Sequence, residues 1–209
     1  MGCIPVRPGV CPIDGVEAQA CRCKQALSQD RPHIHIDTRR SVLTDGQIEI
    51  AAAMLPIEGE SFLTQTFASE RLALLCSRDH PLATRKKVAL RELADETFVA
   101  FTSDYKVNNL IDGLCQRERF EPSVAGRSSH LDFHVSMVTS GMGVALLPVT
   151  ACQRIRSNRL NVVTVVDPVI SFDQALVRHR DAYLSRGGRA WIDIAAKVLG
   201  FSVDPSFLA

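Results

Sequence analysis

No stretch of this 209-residue sequence is long and apolar enough to cross a membrane. A spanning helix needs about 20 consecutive apolar residues, and no run in the sequence approaches that length. The N-terminal segment also lacks a basic region followed by an apolar one, so it does not read as a secretory signal. These absences predict a cytoplasmic protein without a membrane partner.

The sequence has no excess of charge of either sign. It holds 24 Lys and Arg residues against 23 Asp and Glu residues, which gives a formal net charge of +1. A domain that binds DNA mainly by neutralising phosphates usually carries a basic face. Because no block of Lys and Arg stands out, we expect no direct DNA binding by this chain.

The motifs of several common enzyme classes are also absent. The sequence contains no G-x-S-x-G, no P-loop and no G-x-G-x-x-G. Cys76 and His80 are near one another in the sequence, and a thiol nucleophile does need a neighbouring base. No other feature supports catalysis, so we expect neither an enzyme nor a cofactor.

The seven cysteines are expected to be reduced thiols, as is usual in the cytoplasm. Cys21 and Cys23, followed by His33 and His35, supply two thiols and two imidazoles, which would suit Zn²⁺. Structural zinc sites, however, usually place two to four residues between cysteines, and this motif has one. We therefore interpret these residues as free thiols and a solvated strand face, and expect no metal.

What the sequence does contain is an alternation of strand-like and helix-like segments. The stretch "SFLTQTFASERLALLCSRDHPLA" predicts two strands, and its apolar part is covered on both faces. The alternation predicts an α/β fold with mostly parallel sheets. Apolar residues recur at helical spacing at Val107, Leu110, Ile111 and Leu114, and again at Leu131, Val135 and Val138.

The stretch "VTSGMGVALLP", residues 138–148, predicts a helix end, a tight turn and a buried strand. Gly141 would supply the left-handed residue that ends the helix, and Gly143 would allow a close reversal. The apolar residues 144–147 would then form a strand buried on both faces. Pro148 would stop it, because proline offers no hydrogen-bond donor to a sheet.

Four segments occur in an order that resembles one family. They are "LTDGQIEIAAAMLP", "ERLALLCSRDHPLA", "LRELADETFVAF" and "VTSGMGVALLP". From about Pro32 to its C-terminus the chain resembles the effector-binding domain of LysR-type transcriptional regulators. The resemblance implies a type 2 periplasmic-binding-protein-like fold, in which two Rossmann-like α/β lobes are joined by two crossover strands. A small molecule would bind in the cleft between them.

The resemblance also implies the lobe boundaries. The crossovers would fall near residues 98–101 and 170–175. Lobe I would then comprise residues 1–100 plus 171–209, with an irregular N-terminal part, and lobe II residues 101–170.

A cleft of this kind is expected to hold a small organic anion, because N–H groups at helix N-termini and nearby hydroxyls can bind a carboxylate. Thr102 and Ser103 would begin the first helix of lobe II, and a short polar segment would precede the second. In lobe I, only Arg7 offers side-chain donors in the turn after the first strand. Capping of the helices and, for Arg127, a plain surface charge are the alternative roles. The expected effector-binding residues are Thr102, Ser103, Arg127, Ser128, Ser129, His130 and Arg7.

The family begins with a winged helix-turn-helix, which has no counterpart in this sequence. The resemblance therefore implies a sensor domain, in a dimer or tetramer, whose lobe angle changes on binding and controls an attached DNA-binding domain. Two alternatives remain open: a free-standing small-molecule-binding protein of the same fold, and a truncated, non-functional fragment. The second arises because the segment from Val6 to Cys23 departs from the strand-turn-helix of the family.

Overall fold

The computed structural model describes residues 43–208. In chain order, the strands are β1 (Ala51–Met54), β2 (Phe62–Ser77), β3 (Lys87–Ala89), β4 (Thr97–Ala100), β5 (Ser123–Arg127), β6 (Ala145–Pro148), β7 (Leu160–Val166) and β8 (Ser171–His179). The helices are α1 (Lys106–Arg117), α2 (Leu131–Thr139), α3 (Val149–Arg154), α4 (Arg186–Leu199) and α5 (Pro205–Leu208), and 3-10 turns occur at Pro81–Thr84 and Leu90–Leu93.

The first of two compact units contains the described residues up to 68 and those from 173 onward. In this unit β1 pairs antiparallel with β8, with Ala51 opposite Val177. The apolar face of α4 packs into the core of the unit, which removes apolar surface from water. The buried members of that core are Ile50, Leu176, Leu184, Ile192 and Phe207.

Helix α4 has a well-defined beginning and end. The Ser185 hydroxyl accepts a hydrogen bond from the backbone nitrogen of Gly188 at 3.0 Å, which satisfies one of the donors that a helix N-terminus leaves unpaired. At the other end, Gly200 adopts a left-handed conformation with φ of 74°. The helix is amphipathic, with Ile192 and Ala195 buried.

The second unit comprises residues 69–172 and is built around the later part of β2. Leu74 and Leu75 are fully buried there, and β2 pairs antiparallel with β6 and β7 while β3 runs parallel to β7. The expectation of two strands was wrong, since residues 62–77 form one strand. Exposed Thr64 and Thr66 alternate with half-buried neighbours in its first part, and no proline or glycine interrupts the strand.

The sheets are mixed rather than mostly parallel. Among the described residues, β1–β8, β2–β6 and β2–β7 are antiparallel, whereas β3–β7 and β4–β5 are parallel. The expectation of mostly parallel sheets was therefore wrong for this part of the chain. Hydrophobic patterning records which faces are buried, and it does not record the direction of the neighbouring strand.

The stretch at residues 138–148 has the structure that its sequence predicts. Helix α2 ends before Gly141, which has a φ of 77°, and β6 is buried from Ala145 to Leu147. Val144 bridges to β4, donating from its nitrogen to the Thr97 oxygen and accepting from the Val99 nitrogen, both at 2.8 Å. This bridge holds β4 between β5 and the start of β6.

The observed division of the chain differs from the expected lobes at its first boundary. The chain passes between the units at Ala68/Ser69 and again at Phe172/Asp173. The second point is close to the expected boundary at 170/171, whereas the first precedes the expected boundary at 100/101. The pairing of Leu72–Ser77 with β6 and β7 keeps this part of β2 in the second unit. The assignment of lobes from the family resemblance stays a prediction.

Candidate functional site

The carboxyl ends of β4 and β5 lie side by side in the second unit. These strands are parallel, and Ala100 lies opposite Arg127. Beyond the strand ends, the Ser128 nitrogen donates to the Ala100 oxygen at 3.0 Å, and Arg127 Nη1 donates to the Phe101 oxygen at 3.2 Å. The structure thus brings together the two segments expected to bind an effector, residues 102–103 and 127–130.

The first of these segments is a turn rather than the start of a helix. Helix α1 begins at Lys106 with Tyr105 as its N-cap, and no side chain caps it. The expectation that Thr102 or Ser103 would cap this helix was therefore wrong. The Thr102 oxygen instead accepts from the Tyr105 nitrogen at 3.0 Å, which closes a turn and moves the helix start four residues along the chain.

Asn108 holds this turn in place, and the sequence reasoning missed it. Its Nδ2 donates to the Phe101 oxygen at 3.1 Å and to the Thr102 oxygen at 2.6 Å, and only 5% of the residue is exposed. The sequence did contain a signal for this role, which is an asparagine next to Val107 on the buried side of a predicted helix. Such a residue needs hydrogen-bond partners, because burial of an unpaired amide is costly.

The second segment forms a turn before α2. The Ser128 hydroxyl accepts a hydrogen bond from the His130 nitrogen at 3.1 Å, and His130 is the N-cap of α2 without a side-chain cap of its own. Ser128 therefore shapes the turn before the helix, but it does not cap the helix, since His130 is the N-cap. Ser129 is half-buried, and His130 is exposed.

The edge so formed is suited to negative charge. Helices of 12 and 9 residues both begin there, and the N-terminus of each carries a partial positive charge. The exposed Arg127 reaches from the second segment to the Phe101 oxygen beside the first. Helix α1 has no acidic residue in its first turn, whereas α2 has Asp132 there. Backbone donors, hydroxyls and one cation at a single edge can hold a carboxylate without burying an isolated charge.

Three rings in contact connect the two turns. The Phe101 ring lies 5.1 Å from that of Tyr105, nearly parallel to it, and 4.7 Å from that of His134 in α2. His134 is fully buried, and its Nδ1 lies 3.0 Å from the His130 oxygen. The Phe101 ring therefore connects the N-cap residue of α1 with the first turn of α2.

Several expected features lie outside the described residues. These are Arg7, the cysteine and histidine group from Cys21 to His35, and the irregular N-terminal segment. Between residues 43 and 208, no three His, Cys, Asp or Glu side chains are placed so that they could hold a metal ion. No helix in the same range is long and apolar enough to span a bilayer.

The Cys76–His80 pair does not have the properties of a nucleophile and its base. Burial, and to a smaller extent the charge of Glu96, raises the pKa of the Cys76 thiol to about 11. His80 Nε2 lies 3.1 Å from Glu96 Oε2, while His80 Nδ1 accepts from the Leu82 nitrogen at 3.2 Å. A thiol with a raised pKa is protonated near neutrality, so the reactive thiolate is scarce.

The comparison with protein families decides the family of this chain. A family model described as the LysR substrate binding domain matches residues 24–200, which is well over half of the chain. The chain belongs to this family. This match confirms the resemblance to the effector-binding domain. It also confirms the type 2 periplasmic-binding-protein-like α/β fold, with two Rossmann-like lobes joined by crossover strands.

Similar proteins give the same assignment. The uncharacterized HTH-type transcriptional regulator YwbI of Bacillus subtilis is 35% identical over 149 residues, which is 71% of this chain and 50% of that protein. This chain thus spans about half the length of such curated relatives. The relatives are transcriptional regulators and not enzymes.

Solved structures match the fold. The regulatory domain of CcmR from Synechocystis PCC6803, in complex with 2-PG, has a TM-score of 0.71 at 17% identity, covering 79% of this chain and 80% of that one. The effector-binding domain of QuiR, in complex with shikimate, has a TM-score of 0.69 at 17% identity, covering 79% and 78%. At this identity the likeness shows the fold alone.

Proposed function

We propose that this chain is the effector-sensing domain of a LysR-type transcriptional regulator and that it binds a small organic anion. The binding edge is formed where β4 and β5 end. Its proposed contacts are Thr102, Ser103, Arg127, Ser128, Ser129 and His130, and the proposal also includes Arg7, which lies outside the described residues.

One observation carries this proposal: Ser128 donates to the Ala100 oxygen while Arg127 donates to the Phe101 oxygen. Those two bonds set a cation and two hydroxyl-bearing turns at one edge, beside two helix N-termini. Such an arrangement favours a carboxylate over a neutral ligand of the same size. The effectors of the similar domains, shikimate and 2-PG, belong to those proteins and are consistent with a small-molecule ligand for this chain.

The regulatory consequence is also part of the proposal. Binding changes the angle between the lobes by favouring one of two arrangements, and an attached helix-turn-helix domain reads that change. The assembly is a dimer or tetramer, located in the cytoplasm, and DNA contact is made through the attached domain rather than through this one. Support comes from the regulators related to this chain, which are about twice the length of their matched segment.

Thermal unfolding against a panel of small carboxylates tests the binding step. A ligand present at about 100 times its Kd stabilises the folded state by about 2.7 kcal/mol. For a chain of this size, that corresponds to a rise in Tm of about 5 to 10 °C. The expected result is such a rise for at least one carboxylate, with no rise for its uncharged amide.

A matched pair of variants locates the binding. Arg127→Met removes the cation at the proposed edge and is expected to reduce the rise in Tm by half or more at the same ligand concentration. Arg117→Met removes an equally exposed arginine at the opposite end of α1, and it should leave the rise unchanged. Equal responses of the two variants would contradict the proposed edge.

A further inference from the structure

His134 presents a hydrogen-bond acceptor that nothing in the described chain uses. The residue is fully buried in α2, and its Nδ1 lies 3.0 Å from the backbone oxygen of His130. A carbonyl oxygen can only accept, so Nδ1 carries the proton in this bond. In the neutral ring, Nε2 is then an acceptor. Within residues 43–208, Nε2 is a buried side-chain atom without a hydrogen-bond partner.

A buried polar atom without a partner is unusual enough to need a reason. Folding removes its bond to water and supplies no replacement, whereas an apolar ring of similar size would avoid that loss. Phenylalanine has a ring of similar size, and it would be among apolar neighbours here, because the rings of Phe101 and Phe133 lie beside His134. The presence of an acceptor without a partner among the described residues indicates that this nitrogen finds its partner in another state of the molecule.

The position of His134 connects this acceptor with the proposed binding edge. Its ring packs against Phe101, which is the residue before Thr102, and its Nδ1 bonds to His130, which begins α2. His134 therefore contacts His130 of the second segment and Phe101, which precedes the first segment.

Resting on the proposed function, we infer that His134 Nε2 accepts a hydrogen bond from the effector. The effector then carries a hydroxyl or ammonium donor in addition to its anionic group, and it belongs to the hydroxy acids or amino acids rather than the simple carboxylic acids. Because Nε2 is buried in this structure, binding must also displace one of the rings that cover His134.

Pairs of acids that differ by one hydroxyl test this inference. Lactate and propionate, malate and succinate, and 4-hydroxybenzoate and benzoate would each be titrated into the whole chain by calorimetry. Within at least one pair, the hydroxy acid is expected to bind about tenfold more tightly, since one hydrogen bond to a buried acceptor is worth about that factor. Equal affinities within every pair that binds would overturn the inference.

Variants of His134 separate binding from folding. His134→Phe should abolish the preference for the hydroxy acid while retaining the affinity for the deoxy acid. Its Tm without ligand reports a separate effect, because the substitution also removes the hydrogen bond from Nδ1 to the His130 oxygen. His134→Gln, which restores an acceptor, should recover part of the preference. A wild-type preference in a folded His134→Phe variant would overturn the inference by showing that the imidazole serves only the fold.

The same titrations distinguish this inference from the proposed function. Arg127→Met is expected to weaken both members of a pair by the same factor, because it removes the contact to the shared carboxylate. The proposed function stands and this inference fails if Arg127→Met shows that loss while the two acids of every pair bind equally and the His134 variants bind them as the wild type does. If no carboxylate of the panel used to test the proposed function binds the wild-type chain, the proposed function fails and this inference fails with it.

Discussion

Gly143 lies so close to Thr97 that no side chain fits between them: a Cβ atom on Gly143 would overlap the carbonyl oxygen of Thr97. The same oxygen accepts a hydrogen bond from the Val144 nitrogen at 2.8 Å. The close approach thus allows β6 to begin beside β4, and β4 carries the chain to the proposed binding edge. A glycine in a turn between α2 and β6 consequently determines where that edge lies.

Replacement of Gly143 should disrupt this approach. Gly143→Ala is expected to lower the free energy of unfolding by about 1 to 3 kcal/mol, because the backbone of β4 must shift to admit the new methyl group. Urea denaturation monitored by circular dichroism would measure the change. Gly113→Ala is the control, since Gly113 lies within α1 with nothing near its added Cβ; it should raise the stability by about 0.5 to 1 kcal/mol. A Gly143→Ala variant as stable as the wild type would refute this account.

Replacement of the buried Asn108 should lower the free energy of unfolding far more than replacement of its neighbour Asn109. Asn108→Ala removes both bonds to the 101–102 turn and leaves the half-buried Phe101 and Thr102 with fewer partners for their oxygens, so stability should fall by about 1 to 3 kcal/mol. Carboxylate binding should weaken as well, because the turn that carries Thr102 loses its support. Asn109→Ala, at an exposed position of α1, should change stability by no more than about 0.5 kcal/mol. Similar losses in the two variants would argue against the proposed role of Asn108.

The buried cysteines predict a loss of stability at alkaline pH. Burial raises the pKa of the thiols of Cys76 and Cys152 to about 11, and that of Cys115 to about 12. In the unfolded chain a thiol has a pKa of about 8.5. The folded state therefore holds these protons to higher pH than the unfolded state does. Their stabilising effect is complete below about pH 8.5 and is lost as the pH rises toward the folded values.

Urea denaturation between pH 8 and pH 10 measures this effect. The free energy of unfolding of the wild type should decrease across that range, and that of Cys152→Ala should decrease less steeply, since one of the three thiols is gone. Parallel pH profiles for the two proteins would show that other groups cause the decline.

The cap of α4 should contribute measurably to the stability of the first unit. Ser185→Ala removes the acceptor for the Gly188 nitrogen and should cost about 1 kcal/mol. Ser136→Ala is the matched control, because the Ser136 hydroxyl donates to the Asp132 oxygen within an exposed turn of α2, where such a bond adds little. Differential scanning calorimetry should show a lower Tm for the first variant only. A Tm for Ser185→Ala within about 1 °C of the control would rule out a capping contribution of this size.

Part of the binding edge was predictable from the sequence. Thr102 follows a predicted strand and precedes a predicted helix, whereas Arg127 precedes the second helix of lobe II, where the family resemblance implies contacts with the effector. The parallel pairing of β4 with β5, which brings the two positions together, came only from the structure. The role of Asn108 was not predictable in this way, because its partners are backbone oxygens that only the folded turn presents. The start of α1 was misplaced for a related reason: the turn at Thr102 competes with helix formation, and Asn108 stabilises the turn.

The sequence by itself determined where several helices and strands of this protein end, and it determined the family. The glycines at 141 and 143 and the apolar part of β2 act through their own conformational and burial preferences, which depend mainly on residues nearby in the sequence. The order of the four motifs can likewise be read along the chain without a structure. The tertiary structure alone decided the directions of the strands, the continuity of β2 and the unpaired acceptor on His134. Each of these depends on which distant segments pack together, and hydrogen-bond partners far apart in the chain leave no periodic trace in one sequence.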